Sequence, residues 1–307
     1  MSAHTSGAIR PGSLAAWSVA LRPRTLPIAA VPVVAGTALA WARHGAFEAW
    51  IALLSLAGGL LVQIVSNLQN DVGYTVRGGE TGTRTGLPRA TARGWLSVRA
   101  VRAAIAVAIV LAVAAGAPLV VLRGWPIAVI VVTSLVAAYA YMGGPRPIAY
   151  TPWGEATVFV FFGVVALAGT IYAQAGTIDA AGGVAGVAFG LLAASVLAVN
   201  NHRDIAHDAS TGRRTMSVVL GAAGSRLVYR ASICVAFALV PVIAVFGASA
   251  WYMLPLALLP QAVRVLGSFD AAGGGHALTP VLFRTVMLEA AFGVLLAAGA
   301  LASALAG

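Results

Sequence analysis

The sequence predicts an all-α fold: a polytopic membrane helix bundle of about nine transmembrane helices. Three observations predict it. The chain is 60% hydrophobic and 9% charged, with a mean hydropathy of +0.92, more apolar than a soluble domain of 307 residues requires. Nine windows reach the roughly 20 apolar residues that a spanning helix takes: about 25–43, 48–67, 100–121, 124–142, 156–174, 182–200, 229–247, 250–266 and 285–305. The charged residues gather between these windows, and every one of the 19 basic residues is arginine.

Taken in order, residues 1–24 read as an interfacial segment leading into the first span, within one integral membrane domain over 1–307. The apolar piece of this segment is short, and Arg22-Pro23-Arg24 follows it where a cleavable signal would carry small residues. Arg43 and Arg123 fall in the first and third connections, whereas the other arginines gather at the N-terminus and in or beside the even-numbered connections. Positively charged loops stay cytoplasmic, so a cell inner-membrane protein is expected with its N-terminus inside and its C-terminus outside. The net charge of +10 is then mostly a topology signal. No basic, aromatic-interleaved module suggests nucleic acid as a partner. The single cysteine, Cys234, lies inside a window and reads as a packed core thiol.

Two inner connections are long, about 68–99 and 201–228, and they carry most of the polar chemistry. A third, GSFDAAGGGHALTP, reads as a plain linker in preference to a gate. The two long loops resemble each other. Asn67 stands four residues before Asp71, and Asn200, Asp204 and Asp208 repeat that interval, so each set stacks along one helix face. Corresponding positions in the two halves suggest paired sites across a shared cavity, with Gly182, Gly186 and Gly190 allowing close helix packing around it. Carboxylates at a membrane edge cost several kcal/mol unless paired or bound to a cation. Sets of Asn and Asp oxygens suit Mg2+, which joins protein carboxylates to substrate phosphates. Arg84, Arg89, Arg203, Arg213 and Arg214 then read either as diphosphate clamps or as snorkelling topology markers. His202 and His207 suit packing or support better than Mg2+ ligation.

Four motifs in order resemble the UbiA superfamily of intramembrane aromatic prenyltransferases, in particular its menaquinone branch. They are Arg22-Pro-Arg-Thr-Leu-Pro27, SNLQNDVGYTVRGGE, Tyr141-Met-Gly-Gly-Pro-Arg-Pro-Ile-Ala-Tyr150 with Gly154-Glu155, and NNHRDIAHDASTGRRT. The resemblance adds a central cavity to the bundle and implies an alkyl-transferring enzyme whose partners are the lipid bilayer, a polyprenyl diphosphate and an aromatic acceptor, with Mg2+ as cofactor. Asp71, Asp204 and Asp208 would be catalytic through the metal, with Asn67, Glu80 and Asn200 completing its ligands. The arginines, Arg22 among them, would hold the diphosphate. A dry cavity would then protect the allylic cation until an electron-rich ring attacks it. In this branch the ring, 1,4-dihydroxy-2-naphthoate, also loses its carboxylate. Tyr141, Tyr150 and Glu155 would shape or polarise the acceptor site, with ordinary helix entry as the alternative for Tyr150 and Glu155.

The first loop departs from the family pattern. Tyr74 stands where a second aspartate is expected and Thr83 where a later one is, leaving Asp71 and Glu80 as its acids. Either Glu80 substitutes, or one metal suffices, or the chain has left prenyl transfer. Two rival readings keep the fold: another acceptor of the 4-hydroxybenzoate or homogentisate type, and a non-catalytic isoprenoid-diphosphate binder or transporter. Against transport, the polar residues cluster at the cytoplasmic edge and the central portions of most windows lack ionisable groups, Glu289 near the start of the ninth being the exception.

Overall fold

The computed structural model describes residues 9–80 and 85–306. They form helices connected by turns, with no strand among the described residues. Helix α1 (Leu14–Leu21) starts on the Ser13 side chain, which accepts from Ala16 N, and ends at Arg22 in the left-handed region (φ 54°). A 45° bend then separates the Leu14–Thr25 segment from α2 (Pro27–His44). Next come α3 (Ala49–Val76), α4 (Val98–Arg123) and the 16-residue α5 (Trp125–Ala140). The following span, Gly154–Ala175, is α6 (Gly154–Val158), a π-helical turn at Phe159–Val165 and α7 (Ala166–Ala175). After it lie α8 (Ala180–Arg203), the short α9 (Ile205–Ser210) and α10 (Met216–Gly247). A 3-10 stretch at Ala250–Leu258 leads into α11 (Leu259–Ala271), and α12 (Leu278–Ala306) closes the chain.

Seven of these segments are long and apolar enough to cross a membrane; the bent α1–α2 pair makes an eighth, and α5 is a shorter apolar helix. The chain is thus a multi-pass helical membrane protein, matching the nine windows approximately.

The windows misplace the ends of the helices. Both loops expected to be long are partly helical: α3 runs on through Asp71 to Val76, and α10 begins at Met216. Polar residues end an apolar window, but a helix continues where its polar side chains find partners. GSFDAAGGGHALTP is a tight link, with helix to Ala271, positive φ at Gly273, Gly274 and Gly275, and helix again from Leu278. Its Phe269 is buried and stacks on Tyr229 at 4.2 Å, so this link is anchored. Cys234 is exposed on the outward face of α10, contrary to the packed thiol expected, because a hydropathy window does not reveal which face a residue occupies.

Helix α8 is the most buried of the seven spans. Its small residues bring neighbouring backbones close, as the glycine spacing predicts. A Cβ on Gly190 would meet Phe159 O at 2.5 Å, and one on Gly163 would meet the Gly190 backbone at 2.1 Å. This approach stands at the π-helical turn. Its Phe161 and Phe162 line the internal cavities, so the irregular turn presents aromatic rings where a regular helix would rotate them elsewhere.

The core on the other side of α8 centres on Phe292, with Phe189 and Phe237 edge-on to it at 5.7 and 5.5 Å. At the end remote from the Asn–Asp motifs, Arg43 binds Asp179 (2.7 Å) and Gly247 O (2.9 Å), and Arg123 donates to Ala173 O (2.9 Å). The two arginines that stand apart in the charge pattern therefore tie that end of the bundle together.

Candidate active site

The loop of residues 85–97, α9 and the ends of α3 and α8 meet at one end of the bundle, above a cavity of about 150 Å3. Its polar end is lined by Arg22, Asn67, Asn200, Arg89, Arg213 and Tyr141. Below, Val62, Ser134, Phe161 and Phe162 are shared with a second cavity of about 130 Å3 whose lining is predominantly apolar. That second space reaches Leu54, Ile127 and Ala173 near the remote end. Asn67 and Leu54 are separated by thirteen positions on one helix, about 20 Å along its axis at 1.5 Å per residue. A charged group at the top and an apolar chain below can therefore be held together.

The second Asn–Asp motif is locked by arginines. Asp204 takes Arg203 on both oxygens (Nε 3.0 Å, Nη2 2.7 Å) and Thr85 Oγ1 at 3.0 Å. Arg203 also donates to Asn200 Oδ1 at 2.8 Å. Asp208 pairs with Arg213 at 2.5 Å, and Arg213 reaches Ala149 O at 3.1 Å and the Tyr74 hydroxyl. All four charged side chains are buried. Burial works against the charge of Arg213, yet Tyr74 and Asp208 beside it hold the guanidinium above its ordinary pKa. Burial likewise pushes the Tyr141 hydroxyl up, with Arg213 opposing and Glu155 adding to the rise. Tyr141 therefore stays a neutral phenol, able to donate a hydrogen bond inside the cavity.

The first motif is held differently: Asp71, for which a metal role is expected, is engaged by backbone amides and a hydroxyl. Asp71 is fully buried and away from the cavity lining, and both its oxygens already have partners: Ala90 N (2.7 Å), Thr91 N (2.8 Å) and Thr91 Oγ1 (2.6 Å). It staples the turn that carries Arg89. Sequence reasoning missed Ala90 and Thr91 because backbone amides 19 and 20 residues away leave no signature. Asp71→Ala should leave two buried amides without acceptors, at roughly 1–3 kcal/mol each. The expected result is a lower unfolding midpoint in detergent together with weaker diphosphate binding.

The remaining positions divide clearly. Asn67 Nδ2 donates to Leu21 O (2.8 Å), docking the Arg22–Pro27 motif onto α3. Glu155 is buried and accepts from Asn201 Nδ2 at 2.8 Å, joining the middle motif to the second one through a residue that sequence reasoning passed over. Tyr150 lies beneath Arg77 and Arg213, 5.5 and 5.7 Å from its ring. Arg214 is exposed, and only its backbone joins the site, through Tyr150 O; this contradicts the clamp expected from it. Glu80 is half-buried, and Arg84 and Thr83 lie outside the described residues. His207 donates to Gly79 O (2.9 Å) and His202 packs on Phe269 (4.8 Å), the supporting roles expected of both.

A buried anion cradle over an apolar channel, inside a helical membrane bundle, defines an enzyme class that handles amphipathic diphosphates. The chain belongs to the UbiA prenyltransferase family, whose family model matches residues 29–271. It is 40% identical over 291 residues to the 1,4-dihydroxy-2-naphthoate octaprenyltransferase of Mycobacterium tuberculosis, covering 94% of this chain and 98% of that one. The Escherichia coli protein of the same name is 35% identical, covering 88% and 90%. A UbiA homolog from Archaeoglobus fulgidus, solved with GPP and Mg2+, shares the fold at a TM-score of 0.68 and 15% identity, over 92% of this chain and 99% of that one.

Proposed function

We propose that the protein transfers a polyprenyl group from an allylic polyprenyl diphosphate to 1,4-dihydroxy-2-naphthoate, a step of menaquinone synthesis, at the cytoplasmic face of the inner membrane. The observation that carries this reading is the pair of adjoining cavities that share Val62, Ser134, Phe161 and Phe162, with guanidiniums at the upper one and an apolar lining in the lower. The names of the relatives support the acceptor, and the clustering of arginine at the site end supports the orientation.

Arg22, Arg89 and Arg213 line the cavity and are the groups that would hold the diphosphate, Arg203 being engaged by Asp204 and Asn200, and Phe161 and Phe162 border the path of the tail. The donor set fits Mg2+ on one wall. Asp204 and Asp208 stand one helical turn apart, with Asn200 joined to Asp204 through Arg203, and Mg2+ typically needs one or two carboxylates with substrate phosphates filling the rest. Among the described residues, no three acidic, histidine or cysteine side chains gather into a larger cluster. Bound there, the ion would supply neutralisation of charge on the leaving diphosphate. The guanidiniums stabilise the same charge, and the apolar lining keeps water from the allylic cation. The allylic C–O bond breaks, a bond from the acceptor ring to the prenyl carbon forms, and the acceptor carboxylate departs as CO2. Tyr141 offers its hydroxyl to orient the acceptor.

The test is reconstitution of the purified protein in lipid with Mg2+, a long-chain allylic diphosphate and either dihydroxynaphthoate or 4-hydroxybenzoate. Prenylated, decarboxylated naphthoate product is expected. No product in either arm, with the Escherichia coli relative active alongside, would overturn the reading; product from 4-hydroxybenzoate alone would reassign the acceptor.

A further inference from the structure

We infer that Tyr74 makes the α3 side of the cavity a metal-free diphosphate site, in which two guanidiniums meet the anion directly. The inference rests on the diphosphate substrate proposed above and concerns how its charge is held.

Tyr74 is buried and lines the cavity together with Arg89 and Arg213. Its ring lies 4.3 Å from the Arg89 guanidinium carbon and 5.1 Å from that of Arg213, and its hydroxyl accepts from Arg213 Nη1. One side chain therefore positions both cations. Arg213 is fixed further by Asp208 and Ala149 O. Arg89 is held from behind, because Asp71 staples the backbone of Ala90 and Thr91 immediately after it. The ring face attracts the charge of Arg89 but gives its N–H groups no acceptor. Its Nε and Nη1 are buried with no hydrogen-bond partner. A guanidinium left so is costly, and the cavity it borders is where an anion can supply the acceptors.

The same wall offers little to a cation. Asp71 is the one acid within α3, and both of its oxygens are occupied by the stapled turn. An aspartate at position 74 would pair with these guanidiniums and cancel the field that attracts the anion. Arg213 is already paired with Asp208, so the neutral tyrosine orients both guanidiniums and leaves the charge of Arg89 available. Diphosphate should then bind without a divalent ion, and metal demand should fall on Asp204 and Asp208 alone. Tyr74 is a positioning residue, acting through Arg89 and Arg213.

The test is calorimetric titration of the full-length protein, in detergent with EDTA, using inorganic diphosphate and a non-reacting prenyl thiolodiphosphate. Wild-type protein should bind both probes. Arg89→Gln and Tyr74→Asp should each weaken metal-free binding by at least about tenfold, the effect of losing one charge-assisted hydrogen bond. Tyr74→Phe, which keeps the ring and the fold, should weaken it less. Unfolding midpoints of each variant separate lost binding from lost structure. With Mg2+ added to the thiolodiphosphate complex, one metal per wild-type chain is expected. Binding by the wild type only when Mg2+ is present, or undiminished metal-free binding by Tyr74→Asp, would overturn the inference. Failure of the prenyl-transfer assay with metal-free binding intact would count against the proposed function and leave this site standing.

Discussion

Asp204→Asn is expected to cut prenyl transfer by at least about 10²-fold, the scale seen when one group that stabilises developing charge is removed. The substitution keeps the shape of the side chain and one acceptor oxygen, and removes the negative charge. That charge is central to the second wall: Arg203 forks onto both oxygens, and Thr85 reaches the same carboxylate from the other loop. The side chains of Arg203 and Asp204 are 1% and 2% exposed. Breaking a buried pair of this kind costs about 3–5 kcal/mol, so stability falls as well. Two measurements keep the effects apart. The unfolding midpoint records the broken pair. Mg2+ titration of the thiolodiphosphate complex records the metal site and should show affinity weakened by at least about tenfold, as when a group supporting a metal site is lost. Near-normal turnover at a temperature where the variant is folded would remove Asp204 from the metal role.

The two walls were not equally legible in the sequence. Composition and hydropathy are properties of whole segments, so the spans and the all-α class follow from them directly. The ends of the spans do not, because Asn67 and Asp71 stop an apolar window while their bonds to Leu21 O and to the amides of Ala90 and Thr91 let α3 continue. The π-helical turn at Phe159–Val165 reads as an ordinary apolar run; the close approach of Gly163 to Gly190 within it is a long-range contact that no local pattern records. Spacing singled out Asp204 and Asp208 by their four-residue interval from Asn200, and their partners Arg203 and Arg213 lie close by in the chain. It gave no sign of the partners of Asp71, which are backbone amides and a hydroxyl in another loop. Arg213 and Arg214 are identical as letters, yet one is buried on Asp208 and Tyr74 and the other is exposed. The departure at Tyr74 was visible in the sequence as a missing acid. Only its contacts with two guanidiniums turn that absence into a positive feature.

Gly163→Ala is expected to be the most disruptive single-methyl change in the bundle. The added Cβ would lie 2.1 Å from both Cα and N of Gly190 and 2.7 Å from Gly186 O. These are backbone atoms of α8 and cannot swing aside as a flexible side chain would. The Gly154–Ala175 span must therefore separate from α8, and it carries Phe161 and Phe162 at the cavity. Small residues stabilise membrane helix pairs by allowing such approach, since lipid offers apolar side chains no equivalent of the hydrophobic effect in water. Overpacking costs typically 1–3 kcal/mol where side chains can yield; with backbone on both sides the cost should exceed that range. The expected result is a strongly lowered unfolding midpoint or loss of monodisperse protein, with any folded fraction binding prenyl thiolodiphosphate poorly because the channel has changed shape. Gly183→Ala is the matched control, since a Cβ there meets nothing within 4 Å and alanine favours helix. Equal stability of the two variants would show that the 163–190 approach can relax.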